Sequence, residues 1–163
     1  MPGNKNIFVK KKILIYGLGK SGLSSYLFLK KKNDIYLYDD NKNIIKNKKI
    51  KKLLIKSNHI NRINFDFIVI SPGINIKKCH LKAFIKKNLK KIITDLDIFY
   101  SHYSKNKNIT ITGTNGKSTT AKILFDVLKN QKKDARLTGN IGNPILTEKK
   151  ITPKTIFVIE ASS

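Results

Sequence analysis

Residues 108–120, NITITGTNGKSTT, constrain this chain more than any other stretch. Ile109, Thr110, Ile111 and Thr112 alternate apolar and polar β-branched residues, the pattern of a short strand. Gly113, Thr114, Asn115, Gly116, Lys117, Ser118 and Thr119 follow, and then Ala121, Leu124, Phe125 and Leu128 recur at helical spacing. Strand, glycine loop, Lys-Ser/Thr and helix form the layout of a phosphate-binding loop. Glycines let backbone N–H groups close around phosphate oxygens, and the positive end of the helix adds to that field. In such a loop Lys117 reaches the β/γ-phosphates and the Ser118 hydroxyl ligates Mg²⁺. Without its flanks, Gly116-Lys117-Ser118 would equally fit a glycine turn with a solvated lysine. The flanking strand and helix favour the phosphate reading. The loop departs from the general pattern in one way: its first glycine stands three residues before its second.

Charge suggests a different function, and its distribution argues against it. A formal net charge of +24 invites a polyanion partner. Yet the lysines are spread along the whole chain among abundant Ile and Asn. Arginine, the usual base-reading side chain, occurs only as Arg62 and Arg136. We therefore expect no specific nucleic-acid partner, only salt-sensitive adhesion to polyanions. Cys79 is the single cysteine, which excludes an intramolecular disulfide and suits a reducing compartment. His59, His80 and His102 lack metal-ligand spacing. No apolar run approaches the roughly 20 residues that span a bilayer, and the N-terminus has no signal-peptide pattern. The expectation is a cytoplasmic α/β monomer with no membrane partner.

Taken in order, the chain begins its folded part at residues 12–16 (KILIY), an apolar run ending in Gly17-Leu18-Gly19-Lys20-Ser21-Gly22. Leu23, Tyr26 and Leu27 predict the buried face of a helix, and residues 35–38 a second strand that ends at Asp39 and Asp40. This is a βαβ unit with G-x-G-x-x-G and an acid about 20 residues on, a context that favours a site for a nucleotide-type diphosphate over a plain tight turn. The acid could take the ribose of NAD or the uracil or ribose of a sugar nucleotide, and composition does not choose. Residues 41–64 are poorly patterned, with an apolar knot at Leu53 to Ile55 that predicts a short helix or strand. Residues 67–70 read as a buried strand ending in Ser71-Pro72-Gly73, either a structural turn or a ligand-facing one. Leu81, Phe84 and Ile85 mark the next helix, and Ile92-Ile93 a short strand. Thr94 and Asp95 could cap a helix beyond it. The polar residues 101–107 form the linker, placing the boundary near Lys105: a domain at 1–104 and a second at 105–163. After the loop helix, residues 135–138 predict a strand leading to Gly139-Asn140-Ile141-Gly142-Asn143-Pro144. Residues 155–159 predict another, delivering Glu160 to the sheet edge as a second Mg²⁺ contact.

With these pieces in order (YGLGKSGLS, ISPGI, ITGTNGKST, TGNIGNPIL and VIEASS), the chain resembles the Mur ligases, and within them the D-glutamate-adding branch. The compact T-G-T-N-G-K-S-T loop is similar to that of the Mur ligases and the related folylpolyglutamate synthetases. The resemblance implies an α/β fold: a Rossmann-like parallel-sheet domain for the UDP moiety, then the start of a P-loop ATPase domain. It implies ATP and Mg²⁺, with UDP-N-acetylmuramoyl-L-alanine and D-glutamate as substrates joined through an acyl phosphate. By the same resemblance Lys20 and Ser21 approach the UDP diphosphate, Asp39 and Asp40 lie near uracil, Ser71 lines that cleft, and Asn140 contacts the muramoyl substrate. Gly113, Thr114, Asn115, Gly116, Lys117, Ser118 and Thr119 cradle ATP, Lys117 acts catalytically, and Ser118 and Glu160 hold Mg²⁺. Asp40 stands where the family usually has a hydroxyl or small residue. The family's modified lysine, later histidine and C-terminal domain find no counterpart in the 163 residues, so an incomplete, inactive fragment is expected. Two other readings compete: an NAD-dependent oxidoreductase built on GLGKSG, and a basic nucleic-acid-binding module. The first leaves GTNGKST unexplained, and the second rests on charge alone.

Overall fold

A computed structural model describes residues 7–41 and 48–161. The sequence readings of the basic N-terminus, of residues 42–47 and of Ser162-Ser163 therefore fall wholly or partly outside the described residues. Contacts divide the chain into two compact units, Met1–His102 and Tyr103–Ser163. The division falls on the last turn of a helix, between His102 and Tyr103.

The first unit runs β1 (Lys12–Tyr16), α1 (Lys20–Leu29), β2 (Asp34–Tyr38), α2 (Lys48–Lys51), α3 (Ser57–Ile60), β3 (Phe67–Ile70), α4 (Lys82–Lys87), β4 (Ile92–Ile93) and α5 (Asp95–Tyr103). Its sheet is parallel throughout, in the order β2-β1-β3-β4. Ile13, Leu14, Ile15 and Tyr16 of β1 are fully buried, as expected of a central parallel strand covered on both faces. On one face Leu14, Tyr16, Ile60, Phe65, Ile68 and Ile85 form the core. β2 lies on one side of β1 and β3 on the other. The chain therefore leaves β1 at a switch point, where the carboxyl ends of parallel strands open a crevice.

The apolar knot at Leu53 to Ile55 forms neither element fully: Leu54 makes an isolated parallel bridge to Leu37 between two single-turn helices. The buried face of α1 also differs from its hydrophobic pattern. Gly22, Ser24, Ser25 and Leu29 are buried, whereas Leu27 is 54% exposed. The reason is close approach. A Cβ on Gly22 would stand 1.8 Å from the Gly17 carbonyl oxygen, so the helix turns its smallest residues to the sheet. The larger Leu23 and Tyr26 are left half-buried.

The second unit runs β5 (Lys107–Ile111), α6 (Lys117–Asn130), β6 (Ala135–Gly139) and β7 (Ile156–Glu160). These strands are parallel in the order β5-β7-β6. The last strand in sequence is thus the middle of the sheet, and Phe157, Val158 and Ile159 are fully buried there. α6 lays Ala121, Leu124, Phe125 and Leu128 toward the strands, as its stripe predicts, and leaves Ile123 and Val127 exposed. The ladder of β7 extends one residue further than the expected 155–159, so Glu160 is itself a strand residue, paired with Ile111 and Gly139.

Candidate functional site

In the first unit the strand ends converge on the loop that joins β1 to α1. Gly17 has φ 90°, and a Cβ there would lie 2.8 Å from the Ile74 side chain and 2.9 Å from that of Ser71. The buried Ser71 hydroxyl donates to the Gly17 carbonyl at 2.7 Å, so the turn after β3 is tied to the glycine loop. Asp39 accepts the Leu18 N–H at 2.6 Å through one carboxylate oxygen and the Asn41 N–H at 2.8 Å through the other. Its carboxylate shapes the loop from beneath. Asp40 accepts the Tyr16 hydroxyl at 2.7 Å, and His80 Nδ1 stands 3.5 Å from its other oxygen. Burial, and then the Asp40 carboxylate, push the Tyr16 hydroxyl well above the ordinary tyrosine range. Tyr38, edge-on to Tyr16 at 5.2 Å, is raised by the same two causes. Lys20 is exposed at the first position of α1, and Ser21 donates its hydroxyl to Asp95 at the start of α5.

The five sequence-derived residues Lys20, Ser21, Asp39, Asp40 and Ser71 thus lie at or beside one sheet edge. Asp39 and Ser71 spend their polar atoms on the loop itself. Sequence reasoning missed Tyr16, His80 and Asp95, which hold Asp40 and Ser21. The available signal was topological: β4 is parallel to β3, so the residues after it emerge at the same edge. The Thr94–Asp97 pair masked that signal, because Thr94 and Asp97 exchange the capping hydrogen bonds of α5 and leave Asp95 to face Ser21.

In the second unit β5 runs into a loop whose glycines face open space. Gly113 has φ 138° and Gly116, the N-cap of α6, has φ 74°, and no heavy atom lies within 4 Å of a Cβ built on either. Thr114, Asn115, Ser118 and Thr119 are exposed around them. The Lys117 ammonium folds back to donate to the Gly113 carbonyl at 2.6 Å. One strand over, Glu160 is 5% exposed, and its Oε2 has no hydrogen-bond partner among the described residues. A buried carboxylate oxygen without a donor is costly, so this one has room for a cation or a donor from outside the described residues.

The turn carrying Asn140 wraps the same strand end. Asn140 N–H donates to the Glu160 carbonyl at 3.0 Å, and a Cβ on Gly139 (φ 102°) would stand 2.2 Å from that oxygen. A polar clamp holds the turn. Asn143 donates to Glu148 at 3.0 Å, Arg136 Nε lies 3.2 Å from Glu148, and Arg136 also pairs with Asp134, which accepts the Thr155 hydroxyl at 2.5 Å. The Thr155 hydrogen bond, and then the Arg136 guanidinium, hold the Asp134 carboxyl below the usual carboxylate range against an opposing burial effect. The site residues therefore form two groups. Lys20, Ser21, Asp39, Asp40 and Ser71 lie on the first sheet, and the glycine-lysine loop, Asn140 and Glu160 on the second.

Comparison with known proteins adds to this geometry. The family described as Mur ligase MurD-like, N-terminal domain, matches residues 11–93. The UDP-N-acetylmuramoylalanine–D-glutamate ligase of Rickettsia felis is 40% identical over 97% of this chain and 35% of its own length. That of Caldicellulosiruptor bescii is 37% identical over 94% of this chain and again 35% of its own length. The chain therefore spans about a third of the length of these curated relatives. Among solved structures, UDP-N-acetylmuramate:L-alanyl-gamma-D-glutamyl-meso-diaminopimelate ligase from Neisseria meningitides aligns with a TM-score of 0.53. It covers 93% of this chain and 52% of its own, and at 16% identity the likeness is one of fold alone.

Proposed function

The chain belongs to the MurD-like Mur ligases, and from that membership we propose that it supplies the UDP-binding and phosphate-binding parts of an ATP-dependent ligase. The reaction joins D-glutamate to UDP-N-acetylmuramoyl-L-alanine during peptidoglycan synthesis. The substrate carboxylate attacks the γ-phosphorus of ATP, and ADP leaves. The amine of D-glutamate then attacks the acyl carbon, and phosphate and a proton leave as the amide forms. A carboxylate attacking a polyanion needs charge neutralisation more than a strong base. We read the whole enzyme as a cytoplasmic monomer, in keeping with the single cysteine of these 163 residues and the use of ATP. Among the described residues no helix is long and apolar enough to cross a membrane.

One observation carries the reading: the strand beside the glycine-lysine loop ends in a buried glutamate whose Oε2 has no partner among the described residues. Glu160 and the Ser118 hydroxyl fit a magnesium ion, which would neutralise phosphate charge when bound. The open Gly113 and Gly116 leave room for phosphates against the N–H groups of α6, and Lys117 needs only to leave its own loop carbonyl to reach them. On the first sheet, Lys20 and the first turn of α1 would receive the UDP diphosphate, and Asp39 and Asp40 would lie near the uracil. Asn140, held against the end of β7, would contact the muramoyl substrate.

The test is calorimetric titration of the 163-residue chain with Mg·ATP. Lys117→Ala should weaken binding about 10- to 150-fold, the equivalent of one charge-assisted contact of roughly 1.5–3 kcal/mol. An unchanged dissociation constant would reduce GTNGKST to a turn. For the first sheet, a uridine nucleotide should outcompete NADH, and the reverse order would favour an oxidoreductase. With ATP, magnesium and both substrates present, these 163 residues alone should incorporate no labelled D-glutamate. Incorporation above a Lys117→Ala control would sink the fragment expectation.

A further inference from the structure

Ser21 is the second residue of α1, where a hydroxyl would meet a diphosphate received at that helix end. A serine hydroxyl has one proton to give, and Ser21 gives it to Asp95 Oδ2. Phosphate oxygens are acceptors, so the same proton cannot serve both. Asp95 is not free to swing away without cost. It is half-buried, and its other oxygen takes the Leu96 N–H at 3.1 Å on its own helix. The Ser21 carbonyl is committed as well, accepting the hydroxyls of Ser24 at 2.7 Å and Ser25 at 3.1 Å. Gly22, jammed against Gly17, fixes the rotation of the whole turn. Ser21 therefore has little freedom to reorient, and a carboxylate stands beside the first turn of α1.

We propose that Asp95 sets the charge selectivity of this loop: it retains the Ser21 proton and places a like charge against an incoming nucleoside diphosphate. Ser21 is then a positioning residue, and the phosphates are left to backbone N–H groups of α1 and to the Lys20 ammonium. Affinity for the substrate comes from its uridine and sugar parts more than from its diphosphate. This rests on the reading of the first unit as a uridine-nucleotide site, and it adds a residue that reading did not contain.

Asp95→Asn separates charge from shape, because the amide oxygen can still accept the Ser21 hydroxyl. The 163-residue chain and its variants are titrated calorimetrically with UDP and with uridine at low and high salt, with thermal unfolding in parallel. Asp95→Asn should bind UDP about five- to tenfold tighter and uridine within about twofold of the original, and its advantage should shrink at high salt. Ser21→Ala should cost about twofold in UDP affinity in the original chain. In the Asp95→Asn background it should cost about tenfold, since the hydroxyl is then freer to turn to phosphate. A purely structural contact would lower the unfolding temperature and leave the UDP-to-uridine ratio unmoved. UDP binding by both proteins with an equal or weaker constant in Asp95→Asn overturns the proposal and leaves the uridine reading intact. No UDP binding by either protein, with NADH bound instead, overturns both. If Asp95→Asn does not fold, Ser21→Ala alone decides, because a tenfold loss there would mean that Ser21 already serves the diphosphate.

Discussion

The two glycine loops look alike in sequence and are built on opposite physical terms. In GLGKSG the glycines are needed because atoms crowd them. Gly22 meets a carbonyl at 1.8 Å from a notional Cβ, and Gly17 meets Ser71 and Ile74. Asp39 and Ser71 tie that loop down. In GTNGKST the glycines are needed for backbone conformation alone, with positive φ and open space around them. The first loop is a finished part whose shape its own protein enforces. The second is an open frame, with free space beside both of its glycines. Glycine spacing alone carries no sign of which kind of loop it marks.

Substitution should separate the two. Gly22→Ala should cost about 3 kcal/mol or prevent folding of the first unit, since backbone would have to move. Gly116→Ala should cost only about 1–2 kcal/mol, the price of a left-handed alanine. Chemical denaturation of both variants measures this, and equal losses would break the contrast. Next in size, Asp39→Ala should lose about 2 kcal/mol by taking the acceptor from the buried Leu18 N–H in the glycine loop. Lys117→Ala should change stability by less than about 0.5 kcal/mol, whatever it does to the ATP affinity proposed above. A Lys117 variant as unstable as the Asp39 one would mean that the second loop is also internally braced.

The smallest effect concerns acid. The Asp134 carboxyl, depressed by Thr155 and then Arg136, and the Asp66 carboxyl, depressed by the Lys12 N–H and then Lys11, titrate lower in the folded chain than in the unfolded one. Their contribution is complete above the ordinary carboxylate pKa of about 4 and is lost as pH falls through the folded values. Thermal unfolding from pH 7 to pH 3 should show the loss, and Asp134→Asn should flatten its share. An Asp134→Asn chain with an unchanged acid limb would show that the clamp on the Asn140 turn adds no pH-dependent stability.

Much of this arrangement was legible in residues 12–16, 108–130 and 155–160, where continuous apolar strands abut glycine loops. Parallel strands buried on both faces read as unbroken apolar runs, and a helix after GK[ST] shows its stripe plainly. The face of α1 was not legible. Hydrophobic spacing pointed to Leu23, Tyr26 and Leu27, but the contact of Gly22 with Gly17 outranks it, and such a contact leaves no periodic trace. The partners of Ser21 and Asp40 were hidden for a related reason. Asp95 is 74 residues from Ser21, and Tyr16 is 24 from Asp40. Only the strand order brings each pair together. The orphaned oxygen of Glu160 was half-legible: the sequence put an acid at a strand end, and the burial came from its place in the middle of three strands.

That middle place also governs when the second unit can exist during synthesis. β5 and β6 touch each other only through β7, and the pairing of Lys107 with Ile156 closes a loop of nearly fifty residues. By contrast β1 and β2, joined by the short crossover through α1, pair Lys12 with Asp34. At ribosomal speeds of about 5–20 residues per second, the two outer strands emerge seconds before the one that joins them. Through that interval the nascent glycine-lysine loop hangs on an unpaired strand, open to proteases and chaperones. Pulse proteolysis of stalled ribosome complexes should therefore find residues 103–150 cleavable until β7 has left the exit tunnel, and protected together once it has.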